Sequence, residues 1–110
     1  MFARIVTCSV QTAKIDDFRR LLNDQLLPLV QSQPGFVENL EALDPRTGRF
    51  SCTTLWQSRS DVENYDNGVF PEVAAKMSPL LKGNPVVETL PVENSSIHHV
   101  RAAAATPSPG

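Results

Sequence analysis

The chain has 110 residues, which is room for one domain with a single hydrophobic core. Ten basic and twelve acidic residues give a net charge of −2, so the chain lacks the strongly basic surface that binds nucleic acid or an anionic membrane. Two cysteines without a framework spacing argue against a disulfide-stabilised secreted domain. The composition is otherwise that of an ordinary globular domain.

The sequence carries no export or membrane signal that we recognise. No apolar run approaches the ~20 residues that a membrane-spanning helix needs. Residues 1–10 alternate in polarity and contain Arg4, unlike the unbroken apolar segment of a signal peptide. We therefore expect a cytoplasmic protein that contacts neither membrane nor nucleic acid.

The first predicted elements are a strand over Phe2–Val10 and an amphipathic helix over residues 13–33. On the more apolar face of the strand, Arg4 is the exception. The helix has an apolar stripe at spacings of three and four, formed by Ile15, Phe18, Leu22, Leu26 and Leu29. Pro28 predicts a kink in its last turns, and Pro34-Gly35 ends it.

A hairpin is predicted next, with strands over Phe36–Leu43 and residues 49–57. The connecting Asp-Pro-Arg-Thr-Gly segment has the chemistry of a tight loop. Asp44 suits the first turn position, Pro45 fits the second, and Gly48 can take a positive φ.

The second half predicts two short helical segments and a last strand. Ser60 and Glu63 form a capping box that starts the first segment, and Gly68 ends it with a left-handed cap. The second segment spans residues 71–81, and the last strand spans residues 86–92. The order is β-α-β-β-α-β, which predicts an α+β, ferredoxin-like fold with an antiparallel sheet and helices on one face.

We expect one domain over residues 1–100 and a flexible C-terminal tail over residues 101–110. The tail consists of Ala, Pro, Ser, Thr and Gly after a single Arg, so it has little to bury.

The sheet face that the helices leave uncovered is predicted to be poor in charge. The more apolar face, with Phe2, Val6, Cys8, Val10, Phe50, Cys52 and Trp56, is assigned to the helices. The opposite face contains Ile5, Thr7, Thr53 and Leu55, and the last strand adds Val86 and Leu90 or Val87 and Thr89, depending on register. A sheet face with so few charged side chains is unfavourable in contact with solvent and is normally covered. We therefore predict a homodimer with Ile5, Thr7, Thr53 and Leu55 at or near its two-fold interface.

Residues suited to metal or cofactor chemistry are few. His98 and His99 are adjacent and near the C-terminus, and we interpret them as solvent-side. No Cys-x-x-Cys, His-Glu-x-x-His or phosphate-binding Gly-rich loop is present. We therefore expect no metal and no cofactor, and we assign no catalytic residue.

Two further pairs have plain structural interpretations. Cys8 and Cys52 share a face of neighbouring strands, so a disulfide is conceivable, although we interpret them as buried thiols in a reducing cytoplasm. Glu38 and Glu41 lie on opposite faces of the second strand, and we interpret them as exposed residues of an edge strand rather than an acid/base pair.

The richest cluster is aromatic and follows the third strand. Trp56, Tyr65 and Phe70, with Met77 beyond them, are placed to line an apolar pocket between helix and sheet. The alternative is that they form only the core beneath the second helix. Both interpretations remain open from the sequence.

Three motifs in order resemble a known family. They are Pro34-Gly35-Phe36 after the first helix, the Asp44–Gly48 loop, and Thr54-Leu55-Trp56-Gln57-Ser58 followed by Asp61-Val62. Together they resemble the antibiotic biosynthesis monooxygenase (ABM) domain over about residues 2–92. The resemblance implies a dimeric α+β barrel with two protomers packed sheet to sheet. Members include cofactor-independent monooxygenases of polyketides, haem-degrading oxygenases, quinol oxygenases and proteins with no assigned reaction.

The departures from the family narrow the function. The haem-degrading members have an Asn on the first strand, a helical Trp and a His soon after. Here the first strand has Cys8 and Ser9, the helical position has Tyr65, and residues 69–77 contain no His. No haem ligand is therefore carried over. For the polyketide oxygenases, the resemblance gives Asn64 and Tyr65 as candidate pocket residues.

Two functions therefore stay open. One is a cofactor-independent ABM-type monooxygenase that binds a small aromatic or polyketide-like substrate beside Trp56, Asn64, Tyr65, Phe70 and Met77. The other is a non-catalytic dimer that binds a small hydrophobic ligand. A pocket that is large enough for a ring system, opens to solvent and is lined by a Tyr or Asn without an internal partner favours the first. A collapsed, filled interior favours the second.

Overall fold

The sheet has the strand order of the ferredoxin-like fold. A computed structural model describes residues 1–100, so the tail predicted for residues 101–110 lies outside the described residues. The strands are β1 (Phe2–Val10), β2 (Phe36–Leu43), β3 (Arg49–Trp56) and β4 (Leu81–Pro91). They pair antiparallel in the order β2-β3-β1-β4. The predicted α+β fold with a four-stranded antiparallel sheet is confirmed.

The first helix changes its winding along its length. Its segments are a 3₁₀ turn (Thr12–Lys14), α1 (Ile15–Leu21), a π-helical turn (Leu22–Leu26) and α2 (Leu27–Gln31). In the π turn, the Leu27 N–H donates to the carbonyl of Leu22, five residues back. Pro28 accounts for the widening, because it has no N–H for the Asp24 carbonyl and its ring would clash with that carbonyl in a regular helix. The widened turn lies just before Pro28, where the sequence predicts a kink.

The second helical layer contains α3 (Arg59–Asn67), α4 (Phe70–Met77) and a 3₁₀ turn (Ser78–Leu80). Ser58 rather than Ser60 caps α3, since the Ser58 hydroxyl accepts from the Asp61 N–H at 3.2 Å. Gly68 follows α3 with φ −97°, so the predicted left-handed cap is wrong. The chain enters α4 two residues later, and a right-handed backbone at Gly68 allows this short connection.

The last strand begins earlier than predicted. Residues 81–85 were expected to complete a helix and a turn, yet Leu81 and Lys82 already pair with Val10 and Ser9 of β1. An irregularity in the β1–β4 register follows, with Gly83 at φ 72°. The Gly-Asn-Pro sequence therefore bends a continuous strand instead of ending a helix.

The core lies between the sheet and the helices. Most of the predicted helix-side residues of β1 and β3 are buried there, among them Val10, Phe50 and Trp56, and Phe2 and Cys52 are partly buried. Phe18 of α1 packs edge-on against Phe50, with ring centroids 4.8 Å apart. Arg4 shares this face and is buried with its apolar neighbours. Within residues 1–100, no helix is long and apolar enough to cross a bilayer.

Two glycines with positive φ provide a matched test of the hairpin. Gly48 has φ 83°, and a Cβ there would lie 2.0 Å from the carbonyl oxygen of Val10. Gly83 has φ 72°, and a Cβ there would meet no atom within 4 Å. Gly83→Ala should lower the free energy of unfolding by about 1–2 kcal/mol, the penalty of the left-handed conformation. Gly48→Ala should lower it further, because β1 must also move. Equal losses in chemical denaturation would contradict this close approach.

Candidate functional site

A small cavity lies between the helix-side face of the sheet and the helices. Its volume is about 40 Å³, which accommodates a few waters rather than a ring system. The wall is formed by β1, β3, the first helix, α3 and α4. It is predominantly apolar, with Arg4 as its charged member; the lining residues are Arg4, Val6, Leu22, Leu26, Leu27, Val30, Phe50, Cys52, Thr54, Tyr65, Phe70, Val73 and Met77.

Arg4 is held in the cavity wall by three contacts. Its side chain is 3% exposed, because the alternation of β1 points it towards the helices. Nε donates to Asp66 Oδ1 of α3 at 2.7 Å. The guanidinium carbon lies 4.1 Å from the ring centroid of Phe70 and 4.9 Å from that of Tyr65. These distances are typical of cation–π contacts, so two neighbouring aromatic rings pack against the guanidinium group.

One nitrogen of Arg4 has no partner. Among residues 1–100, Nη2 is buried and makes no hydrogen bond. Leaving a buried donor unpaired costs about 1–3 kcal/mol, and more for a charged group. Arg4 is one of the residues that line the cavity, so a ligand oxygen bound there is a candidate acceptor for this donor. The signal in the sequence was the single break in the apolar face of β1.

Aromatic rings form the wall beside Arg4. Tyr65 stacks on Trp56 with centroids 5.0 Å apart, and its centroid lies 5.9 Å from that of Phe70. Trp56 is fully buried, and its Nε1 donates to Thr54 Oγ1 at 2.8 Å. Burial raises the pKa of Tyr65 to about 12, so its phenol stays neutral near neutral pH. It can donate a hydrogen bond there but does not act as a base.

The five predicted pocket residues occupy three different places. Tyr65, Phe70 and Met77 line the cavity. Trp56 does not line it but lies behind Tyr65. Asn64 is exposed on α3 and is not among the lining residues, so its placement in the pocket needs correction. Successive helical residues point about 100° apart, and α3 turns Tyr65 rather than Asn64 towards the sheet.

Cys52 also lines the cavity, and Glu41 contacts it. Cys52 Sγ lies 3.6 Å from Glu41 Oε2, and Asn39 Nδ2 donates to the same oxygen at 2.7 Å. Burial, reinforced by Glu41, raises the pKa of Cys52 to about 12, so this side chain is a thiol rather than a nucleophilic thiolate. Glu41 is therefore half-buried on the helix side and hydrogen-bonded to Asn39 and Cys52, so the expectation of an exposed residue was wrong.

The other cysteine and the histidines have separate environments. Cys8 and Cys52 are both free thiols, and burial raises the pKa of Cys8. His98 is not solvent-side as expected, since its Nε2 is hydrogen-bonded to Glu38 Oε1 and its side chain is 22% exposed. The Ser95–Val100 bridge accompanies this arrangement. No group of three potential metal-ligating side chains occurs within the part of the chain that the structure describes.

The uncovered sheet face brings the four predicted interface residues together. The register pairs Ile5 with Thr53, and the same face includes the pair of Ala3 with Leu55 and the pair of Thr7 with Ser51. The edge strands add Leu40 and Val86, which are 68% and 66% exposed. The register selects the face of β4 with Val86, Glu88 and Leu90. Glu88 therefore adds a charge to this face, opposite Ile5. The sequence alone did not show on which face of the sheet Glu88 lies.

The chain was compared with family models, curated proteins and solved structures. No family model and no curated protein matches the sequence. Solved structures do match. A monooxygenase from the gene ActVA-Orf6 of Streptomyces coelicolor, in complex with nanaomycin D, is 19% identical; the match covers 86% of this chain and 88% of that chain, with a TM-score of 0.69.

Two further structures match at similar length. A protein of Deinococcus radiodurans assigned to the antibiotic biosynthesis monooxygenases is 14% identical, with 86% and 95% coverage and a TM-score of 0.72. The NE2512 protein of unknown function from Nitrosomonas europaea is 16% identical, with 86% and 91% coverage and a TM-score of 0.73. The chain has the fold of the ABM proteins, as the resemblance predicted. Identities this low establish a shared fold rather than a shared reaction.

Replacing Arg4 tests whether it holds the fold. In Arg4→Met, an apolar side chain takes the place of the guanidinium, and the side chain of Asp66, which is 38% exposed, is left to water. The free energy of unfolding should stay within about 1 kcal/mol of the wild type or rise, since the substitution removes the buried charge and the remaining partner, Asp66, is in contact with water rather than buried. Chemical denaturation measures the change. The core truncation Met77→Ala should cost about 2–5 kcal/mol. An equally large loss in Arg4→Met would show that Arg4 is needed to stabilise the fold.

The single tyrosine of the chain makes its ionisation directly measurable. Tyr65 should form tyrosinate near pH 12 in the folded protein and near its ordinary value of 10 after unfolding. The unfolded state then loses a proton that the folded state retains, so stability should fall as the pH rises from about 10 towards 12. Ultraviolet titration with and without denaturant tests this prediction. Coinciding titration curves would contradict the burial of the phenol.

Proposed function

We propose that the protein is a cofactor-independent monooxygenase that acts on a small aromatic substrate in the cavity between the sheet and the helices. The observation that carries the proposal is the apolar cavity itself, with Tyr65 and Phe70 in its wall and Arg4 as a charged donor. The shared fold with the S. coelicolor monooxygenase, whose structure holds nanaomycin D, supports it.

The chemistry requires a substrate that forms its own reactive carbanion, such as a hydroxylated anthrone. A proton leaves a ring CH₂ group, and the resulting enolate gives an electron to O₂. Radical recombination forms a C–O bond, protonation gives a hydroperoxide, and loss of water leaves a carbonyl group. One oxygen atom enters the product and the other leaves as water, so no external reductant is consumed. The protein supplies orientation and exclusion of bulk water.

Binding of a ring requires the cavity to enlarge. A volume of about 40 Å³ is far below the roughly 300–1,000 Å³ of ordinary ligand pockets. Leu22 and Leu26 line the cavity, and both belong to the π-helical turn. Such turns are often found at functional sites. We assign the enlargement to movement of these two leucine side chains, because Pro28 keeps the turn itself from returning to regular winding.

Oxygen uptake with anthrone and dihydroxynaphthalene tests the activity. The wild type should consume O₂ and form the quinone faster than the buffer reaction does. Val73→Phe fills the cavity and should reduce the protein-dependent rate at least tenfold, about 1.4 kcal/mol in the barrier. Ala75→Phe adds the same ring on the exposed face of α4 and should leave the rate unchanged. Thermal unfolding checks that both variants are folded. Wild-type uptake no faster than buffer would refute the activity.

We also propose that the protein functions as a homodimer through the uncovered sheet face. Leu40 and Val86 are widely exposed on this face, and Ile5 and Thr53 form its centre. Glu88 of β4 borders this centre as a charged exception. A surface that is otherwise apolar or uncharged at its centre marks an interaction site, and the same surface on a second copy covers it by two-fold symmetry.

Lysine substitutions test the dimer. Thr7→Lys and Thr53→Lys would place like charges near the two-fold axis in poorly solvating surroundings, so the dimer should dissociate or unfold. Asn64→Lys adds the same charge on exposed α3 and should leave the assembly unchanged. Sedimentation across a dilution series measures the mass. An intact dimer in both threonine variants would place the interface elsewhere.

A non-catalytic dimer that binds a hydrophobic ligand is the second candidate. The observation in its favour is that burial keeps both Cys52 and Tyr65 protonated in the cavity wall, so neither serves as a base near neutral pH. Saturable binding of anthrone without oxygen uptake would identify this function.

A further inference from the structure

We infer that Arg4 binds the substrate, with Nη2 donating to a ring-bound oxygen on which negative charge develops during the reaction. The ligand class is an aromatic ring system with a carbonyl or phenolate oxygen at one edge. The step that involves developing charge rests on the proposed monooxygenase function. Recognition of the oxygen itself does not depend on catalysis.

The donor is positioned before any ligand arrives. Asp66 holds Nε at 2.7 Å, and the rings of Phe70 and Tyr65 lie against the guanidinium group. The group therefore needs no reorganisation when an acceptor enters. Preorganised donors of this kind are the ones that stabilise developing charge most effectively.

Two other polar side chains of the cavity wall, Thr54 and Cys52, have partners within the protein. Thr54 Oγ1 accepts from Trp56 Nε1 and lies 3.4 Å from the carbonyl oxygen of Arg4. The Cys52 thiol is directed to Glu41. Tyr65 remains as a neutral phenol whose pKa is raised by burial. Nη2 is thus the charged donor left over, and an oxygen atom in the cavity would remove the penalty of its burial.

The reaction strengthens this contact. When the C–H bond of an anthrone breaks, the proton leaves and the electron pair delocalises onto the carbonyl oxygen. A charge-assisted hydrogen bond from Arg4 is stronger to this enolate oxygen than to the neutral ketone. Arg4 therefore favours the enolate over the ketone, which lowers the pKa of the bound substrate and promotes the step that precedes reaction with O₂.

Paired ligands test recognition of the oxygen under anaerobic conditions. Wild type should bind anthrone at least tenfold more tightly than anthracene, which lacks the oxygen and leaves the buried donor unpaired. Arg4→Met should lose this preference. Arg46→Met is the matched control, since it removes an arginine whose side chain is 83% exposed in the β2–β3 hairpin. No binding of anthrone to wild type, or an equal preference in Arg4→Met, would overturn the inference.

A titration of bound anthrone tests the charge. The coloured enolate should form at least one pH unit lower on wild type than in buffer, a tenfold change in the ionisation constant. Arg4→Met should abolish the shift, and Arg4→Lys should retain part of it. A merely structural role for Arg4 would not move this value. The same shift in wild type and Arg4→Met would therefore overturn the inference.

The two proposals fail in different ways. If the oxygen preference and the pKa shift depend on Arg4 but no O₂ is consumed, the recognition stands and the monooxygenase function falls. If O₂ is consumed at the same rate by wild type and Arg4→Met, the function stands and the role of Arg4 falls.

Discussion

One buried positive charge joins the sheet to the second helical layer beside the cavity. Arg4 lies on the helix-side face of the sheet, where its neighbours along β1 are apolar. Such a charge is tolerable only when it is paired, and Asp66 supplies the partner from α3. This ion pair and the cation–π contacts of Arg4 with Phe70 and Tyr65 link the central strand β1 to the second helical layer. The ionic contact thereby positions the wall of the cavity.

Much of the fold follows from the sequence because local and global signals agree. Alternation along β1 and β3 correctly separated the helix side from the uncovered face, and Gly48 correctly marked the hairpin. The Gly-Asn-Pro segment predicts a turn, since these residues are typical of turns, whereas in the structure they bend a strand whose pairing partners lie far away in sequence. Strand register depends on such distant partners, and it decided that Glu88 shares a face with Ile5.

The candidate site was only partly predictable for a similar reason. Tyr65, Phe70 and Met77 follow from an aromatic cluster placed after a core strand. Asn64 entered through family resemblance, and the local helical phase turns it outwards. The importance of Arg4 depends on a missing hydrogen bond, and no pattern in a sequence reports whether a donor finds its partner.

The stacking of Trp56 on Tyr65 has a practical consequence for any study of the cavity. The chain contains a single tryptophan and a single tyrosine, and they lie face to face with Tyr65 between the indole and the cavity. The fully buried indole should emit at short wavelength, as expected for an apolar environment. A quinone that forms beside Tyr65 would accept excitation energy or an electron from this indole and quench it. The molecule thus contains its own fluorescent reporter of cavity occupancy, which needs no attached dye.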